Sequence, residues 1–521
     1  MLANMSLEEK IGQLFLVMIN GPELSTDYQE HFIATKIGNY ILFAKDLTDY
    51  KSIRRLTDSL QKTAKQACRI PAFISADQEG GMVTRIFSGA THFPSNMAIT
   101  ASGKIDSMEQ LGEMMGIELH ALGININHAP VLDVNNNSEN PVIGVRAYSD
   151  NPAVVAKMGA GYGMGLQKSG VIASGKHFPG HGDTSMDSHL ELPTVRHDIN
   201  RLESIEFLPF KAAIEGGIDS LMTAHICFKA MDPDIPATLS EKIITGFLRE
   251  KLGFEGLIIT DCMTMNAIKK RYTTEKGCVM ALNAGIDLLC LNASKEIQAA
   301  CYNTVLTAVK SGEIPMKKID AAITRILRYK HKYEIGRVAK MPREYYPKHE
   351  ALADEISEKS ITLTHDTKKL LPLIGKRFLC ISPPPVRTSI ADDTVTTMEP
   401  FCKQVAAKLG NPYREISINP DTKEIESVLD EAKDYSIILY GCYSAKVNPG
   451  QVHLFKALKA EGKDIVLVSL RIPYDIVEMK EADCHIAAFE YTNRAVCNVM
   501  KVLAGKKKPV GVMPVIILPK E

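Results

Sequence analysis

A chain of 521 residues is too long for one ordinary hydrophobic core, so a large domain followed by a smaller one is expected. With 45% hydrophobic and 23% charged residues the composition is globular, neither disordered nor fibrous. Its 61 basic side chains are matched by 61 acidic ones, which argues against a nucleic-acid partner that needs a basic field.

The first ten residues lack the basic-then-apolar order of a signal peptide. Short apolar runs then alternate with amphipathic stretches. Candidate strands fall at 13–19, 40–43, 72–76, 124–129, 171–174, 220–224, 257–260 and 287–291. Between two of them Leu202, Ile205, Leu208 and Ala212 form one helical stripe, with Asn200 as N-cap and Glu203 as its box partner. Ser240 is expected to cap a helix over 241–252 whose Ile243, Ile244, Phe247 and Leu248 face inward, and Gly253 supplies the stop. Eight strands alternating with helices over about 330 residues is the pattern of a (β/α)8 TIM-like barrel with insertions. An open doubly wound sheet is the alternative, but no GxGxxG follows any strand. Residues 336–348 lack periodicity and carry basic, Pro and Tyr residues, as a linker would. Buried parallel strands at 378–381, 436–439, 464–470 and 485–489, with a helix at 401–409, then predict a smaller α/β three-layer sandwich. The expected domains are therefore 1–335, the linker 336–348, and 349–521.

In a (β/α)8 barrel the catalytic groups sit at the C-terminal ends of strands. Here Asp77, Gln78, Glu79 and then Arg85 follow the third candidate strand, and Asn127, His128 and Asp133 come after Ile126 of the fourth. His225 follows the sixth and Asp261 the seventh. The fifth leads into residues 174–193, a stretch broken by Gly175, Pro179, Gly180 and Gly182 that carries Lys176, His177, His181, Asp183, Asp187 and His189. Such polarity predicts a long functional loop, not a strand or a helix interior. Asp261 at the exit of a buried strand has two local readings, a catalytic carboxylate or the N-cap of the next helix. Glu79 is the weakest candidate; His128 and Asp133 read as structural and Cys227 as core.

The run Lys176-His177-Phe178-Pro179-Gly180-His181-Gly182-Asp183-Thr184, ending in Asp187-Ser188-His189, resembles the signature of bacterial family 3 glycoside hydrolases of the β-N-acetylglucosaminidase branch. Ala237-Thr238-Leu239-Ser240, Leu252-Gly253-Phe254 and Thr260-Asp261-Cys262-Met263-Thr264-Met265 extend the likeness, although Cys262 and Met263 depart from its commoner residues. The resemblance implies a retaining mechanism with Asp261 as nucleophile and His189, steadied by Asp187, as general acid and base. It also implies that Asp77, Arg146, Lys176 and His177 hold the sugar ring, with Arg85 and His225 as weaker contributors or buried scaffold groups. An imidazole with an ordinary value near 6.5 suits proton transfer at neutral pH.

No metal or organic cofactor is implied. A metal-dependent hydrolase is one alternative, since the loop is rich in ligand types, but it lacks HxH or HExxH spacing and Lys176 would repel a cation. A phosphorylase on the same fold is another, because an imidazole repels incoming phosphate less than a carboxylate would. The expected partner is a small saccharide or muropeptide, the muropeptide resting on the resemblance alone; the sequence sets no oligomeric state. No apolar run reaches the roughly 18 uncharged residues of a membrane span. Eleven scattered cysteines without a CxxC pair fit a reducing cytoplasm. A secreted chain with its leader removed would carry the same pattern.

Overall fold

The computed structural model describes residues 2–185, 192–338, 345–387, 392 and 398–517. Eight parallel strands make the first sheet: β1 (Phe15–Met18), β2 (Asn39–Leu42), β3 (Phe73–Ala76), β4 (Ile126–Asn127), β5 (Ile172–Phe178), β6 (Ser220–Thr223), β7 (Leu257–Thr260) and β8 (Leu289–Leu291). They pair in chain order, and β8 lies beside β1 with Leu16 opposite Cys290. Thr260 N–H donates to Leu288 O at 2.9 Å and brings β7 against β8, so the sheet closes into a barrel. All four residues of β7 are buried, as a parallel strand covered on both faces requires.

The outer helices follow local rules. Asp49 accepts from Lys51 and Ser52 N–H and starts Tyr50–Cys68, whose Ile53, Leu56, Leu60, Ala64 and Ala67 recur every three or four residues and face the barrel. Truncating Leu60 to Ala there would cost about 2–5 kcal/mol. Ser240 Oγ accepts from Ile243 N–H at the start of Lys242–Lys251, and Ile243, Ile244, Phe247 and Leu248 are buried as expected. The stripe at 202–212 is two helices instead, Ile199–Ser204 and Leu208–Glu215, because Pro209 starts the second one. Asp198, not Asn200, caps the first.

Lys330, on helix Met316–Lys332, plugs the floor of the barrel. Its ammonium donates to Gln13 Oε1 at 2.6 Å and Asn39 Oδ1 at 2.7 Å, and it sits 4.8 Å from the centre of the Phe73 ring. Burial pushes its value down from 10.5 to about 7.

The second sheet has six strands: β9 (Thr362–Asp366), β10 (Phe378–Ser382), β11 (Tyr413–Glu415), β12 (Ile437–Cys442), β13 (Asp464–Ser469) and β14 (Cys484–Ala487). They lie in the order β9-β14-β13-β12-β10-β11, parallel except for β9, which runs against β14. Alternate side chains feed two cores. Phe378, Cys380, Leu439, Val466 and Val468 face one way, and Leu379, Ile381, Ile438, Tyr440, Ile465 and Leu467 the other. That period of two, with helices on both faces, is a three-layer sandwich. Helix Phe401–Leu409 matches its expected bounds. At the expected linker, 339–344 lie outside the described residues and helix Tyr345–Ser360 occupies the end.

The two units share a core. Met82, Met97 and Val145 of the barrel pack in the same cluster as Phe401, Phe489 and Tyr491 of the sandwich. Ser95 N–H donates to Glu490 Oε2 at 2.7 Å and Ser95 Oγ donates to Phe489 O at 3.1 Å. Burial raises the Glu490 carboxyl to about 7. All eleven cysteines are free, and only Cys497 is exposed. Among the described residues no helix is long and apolar enough to cross a membrane.

Candidate active site

The fifth strand does not end where polarity suggested. β5 runs through Ser174, Gly175, Lys176 and His177 to Phe178, all buried. Its pairing with β6 slips between Gly175 and Phe178. The strand tolerates an ammonium and an imidazole because partners from other strand ends satisfy both. Lys176 Nζ donates to Asp77 Oδ1 at 2.7 Å and contacts Glu79 Oε1 at 2.6 Å. His177 Nδ1 meets Asp133 Oδ2 at 2.7 Å. Asp133 also accepts from His177 N–H and His181 N–H, so it ties the signature loop to the exit of β4. At Gly182 a Cβ would lie 1.7 Å from Val134 O, which is why the loop needs glycine there.

Arg146 arrives on a short turn, Gly144–Arg146. Asn140 positions that segment: its Oδ1 accepts from Val142 and Ile143 N–H, and its Nδ2 donates to His181 O at 2.7 Å. Arg146 then grips Glu79 with two bonds, Nε to Oε2 at 2.9 Å and Nη2 to Oε1 at 2.8 Å. Arg85 Nη2 lies 3.4 Å from Asp77 Oδ2. Gln78 holds this turn by donating N–H to Asn127 Oδ1 and accepting from Arg85 and Ile86 N–H.

The electrostatics follow from these contacts. Burial alone would raise Glu79, but Arg146 and Lys176 outweigh it and hold the carboxyl at about 2. Asp77 is likewise held well below the usual carboxylate range, burial being offset by Lys176 and Arg85. Asp133 is lowered against its burial by His177 and His181. Burial, reinforced by His177, pushes His181 down to about 4, so it is neutral at neutral pH. Burial also lowers His128 to about 4.

Asp261 faces the same cavity, of about 540 Å³, that Asp77, Glu79, Arg85, Arg146, Lys176 and His177 line. Its N–H donates to Thr223 O at 3.2 Å and its Oδ1 accepts from Cys262 N–H at 2.7 Å. It is not the cap of the following helix, Asn266–Tyr272, whose N-cap is Met265. Fixed carboxylates and cations facing one more carboxylate can hydrogen-bond a polyhydroxylated ring and set it against a nucleophile.

His225 is placed differently from the residues that line the cavity. It is buried, with Nδ1 2.9 Å from Thr238 Oγ1 and Nε2 3.0 Å from Cys262 O, and ties the ends of β6 and β7 together without lining the cavity. Asp187 and His189 lie outside the described residues. Glu79, ranked last by sequence, proves to be the hub of the charged network. Its signal was a third carboxyl-or-amide side chain in a row just before two glycines, a geometry that packs the turn. A Cβ at Gly81 would sit 2.4 Å from Ser95 Cβ. His181, Lys45 and Arg387 also line the cavity and were not singled out as ring-holding residues. Among the described residues no three His, Cys, Asp or Glu side chains gather as a metal-ligating group.

A (β/α)8 barrel with paired charges and a separate carboxylate lining a cavity at its C-terminal mouth has the layout of a barrel enzyme's active site. Residues 6–329 match the glycosyl hydrolase family 3 N-terminal domain, and the chain belongs to that family. It is 36% identical over 335 residues to a β-hexosaminidase A of Pseudoalteromonas piscicida, a match covering 60% of this chain and 55% of that one. The chain thus spans just over half the length of that curated relative. A glycoside hydrolase family 3 β-N-acetylglucosaminidase from Paenibacillus sp. str. FPU-7 superposes with a TM-score of 0.92 at 36% identity, covering 98% of this chain and 99% of that one. A β-glucoside phosphorylase superposes with a TM-score of 0.82 at 25% identity, covering 99% of this chain and 95% of that one.

Proposed function

We propose that the protein is a retaining, exo-acting β-N-acetylglucosaminidase that removes terminal non-reducing β-GlcNAc from peptidoglycan-derived or related saccharides. The observation that carries this reading is Asp261 opening into the cavity lined by the Lys176, Asp77, Glu79 and Arg146 network. Asp77, Arg146, Lys176 and His177 hold the ring, with Arg85 bracing Asp77. Asp261 attacks the anomeric carbon and forms a glycosyl ester, while His189, oriented by Asp187, gives its proton to the leaving oxygen. His189 then takes a proton from water, whose oxygen displaces Asp261 and regenerates the carboxylate. Free and largely buried thiols support a reducing, cytoplasmic setting.

A slow fluorinated β-GlcNAc donor tests the nucleophile: mass spectrometry is expected to find the sugar on Asp261, and labelling of Asp261→Ala would overturn the assignment. His189→Ala is expected to spare aryl glycosides with good leaving groups and to lose natural linkages; equal losses would overturn the acid role. A phosphorylase is the second reading, favoured by the imidazole acid and by the fold shared with a β-glucoside phosphorylase. Sugar 1-phosphate as the main product in phosphate buffer would establish it. Loss of turnover after metal stripping would revive the metal-dependent hydrolase.

A further inference from the structure

The stretch 135–150, which carries Arg146, belongs to the barrel but is held by the sandwich along its length. Tyr474 Oη accepts from Asn135 Nδ2 at 2.9 Å, and Lys446 pairs with Glu139. Val145 is buried in the same apolar cluster as Tyr474. Ser149 Oγ donates to Pro514 O at 2.6 Å, and Ile516 N–H donates to Asp150 Oδ2 at 2.7 Å. Of these contacts, the one at Asn135 leads on to the cavity.

Asn135 is buried, and its side-chain amide is used at both ends. Its Oδ1 accepts from Gly144 N–H at 3.1 Å, at the start of the turn Gly144–Arg146. Gly144 has a φ of 45°, a left-handed conformation open to glycine, so local sterics alone do not select it. A backbone N–H can only donate, so the amide turns its oxygen to Gly144 and its NH2 to Tyr474. The hydroxyl supplies the acceptor that keeps it so. At the other end of the turn Asn96 Nδ2 donates to Arg146 O at 2.6 Å. The guanidinium that binds Glu79 twice is thus aimed by a turn held at both ends.

Tyr474 is itself a fixed post. It follows the end of β13 and is the N-cap residue of the short helix Asp475–Glu478. Asp475 Oδ1 accepts from Ala445 N–H at 2.9 Å and ties this bend to the one after β12. Burial pushes the Tyr474 phenol above its ordinary value, so it stays a neutral hydroxyl at neutral pH.

We propose that Tyr474 is a positioning residue for Arg146. Its hydroxyl orients Asn135, Asn135 fixes Gly144, and the turn then sets the guanidinium toward the sugar ring. The sandwich takes part in sugar binding through this relay without touching the ring there. This deepens the glycosidase reading and rests on Arg146 holding the ring.

A double-mutant cycle on an aryl β-GlcNAc substrate tests the relay, with kcat/KM taken per site titrated by the slow fluorinated donor. Tyr474→Phe is expected to lower kcat/KM about fivefold, or about 1 kcal/mol. Asn135→Ala, which removes both hydrogen bonds, is expected to lower it at least as much, and it supplies the same cycle should Tyr474→Phe not fold. In an Arg146→Lys background, which keeps a positive charge beside Glu79, either change is expected to add almost nothing. Lys446→Ala breaks an exposed ion pair of the same interface and is expected to leave kcat/KM unchanged. Unchanged kcat/KM in Tyr474→Phe would overturn the relay. So would the same loss with and without Arg146, or an equal loss in Lys446→Ala, since either marks a general effect of the interface. An unaltered kcat/KM in Arg146→Lys would instead bring down the ring-holding role of Arg146. Failure of the wild type to cleave any β-GlcNAc would bring down the glycosidase reading itself.

Discussion

The barrel buries a lysine at each end, and the two are kept in different company. At the mouth Lys176 meets two carboxylates, Asp77 and Glu79, which the surrounding cations hold ionised. At the floor Lys330 meets two amide oxygens and the face of Phe73, and burial moves its value to about 7. The mouth keeps charge in place for a ligand, whereas the floor fills a hole and carries a titration as a side effect. A buried ammonium therefore reports function through its counter-charges, not through its depth.

That contrast is open to direct attack. The largest expected effect is at the mouth: Asp261→Asn should lower kcat by about 10⁴ or more while leaving thermal stability unchanged, measured by steady-state kinetics and calorimetry together. A matching fall in Tm would mean that Asp261 is a structural group. Next comes the floor. Lys330 has a folded value of about 7, below its ordinary 10.5, so the folded chain binds fewer protons between these limits. Its cost to folding is full below pH 7 and is relieved as pH rises to 10.5, by up to about 5 kcal/mol. Denaturant titrations of Lys330→Met should lose this rise in stability, with kcat unaltered; a retained slope would place the titration elsewhere.

Glu79→Gln should cost about 3–5 kcal/mol, because Arg146 and Lys176 would each be left buried beside a neutral amide. It should also lower kcat/KM, and a stability loss without an activity loss would separate the network from the ring-holding role. The smallest effect is at the joint between the units. Glu490 has its value raised from 4.5 to about 7, so its cost to folding is absent below 4.5, grows as pH rises, and is full above 7. Glu490→Gln should therefore stabilise the chain by up to about 3 kcal/mol at pH 8 and by little at pH 4, read as the difference in unfolding free energy between the two.

The fold was largely legible because its signal is local. β7 reads directly as an apolar run between Gly256 and Asp261, and Phe401–Leu409 as a helical stripe stopped by Gly410. β5 was cut short because a lysine and a histidine do not look like strand interior. Their burial depends on Asp77 and Asp133, 99 and 44 residues earlier in the chain. The candidate site divides the same way. Asp261 stands out as a lone carboxylate after a buried strand, and Lys176, Arg146 and Asp77 through their motifs. Glu79 does not, because its importance lies in an arginine 67 residues away. Arg387 carries no local mark at all, since only the packing of the sandwich against the barrel brings it to the mouth.

The contact between Ser95 and the strip Phe489–Tyr491 has a consequence for engineering. Ser95 fills the space that Gly81 leaves open, and Gly81 follows the turn that aims Glu79. The sandwich thus acts as a keystone under the acidic hub. A chimaera that grafts this barrel onto another companion would need to carry those three residues with it to keep the hub aligned.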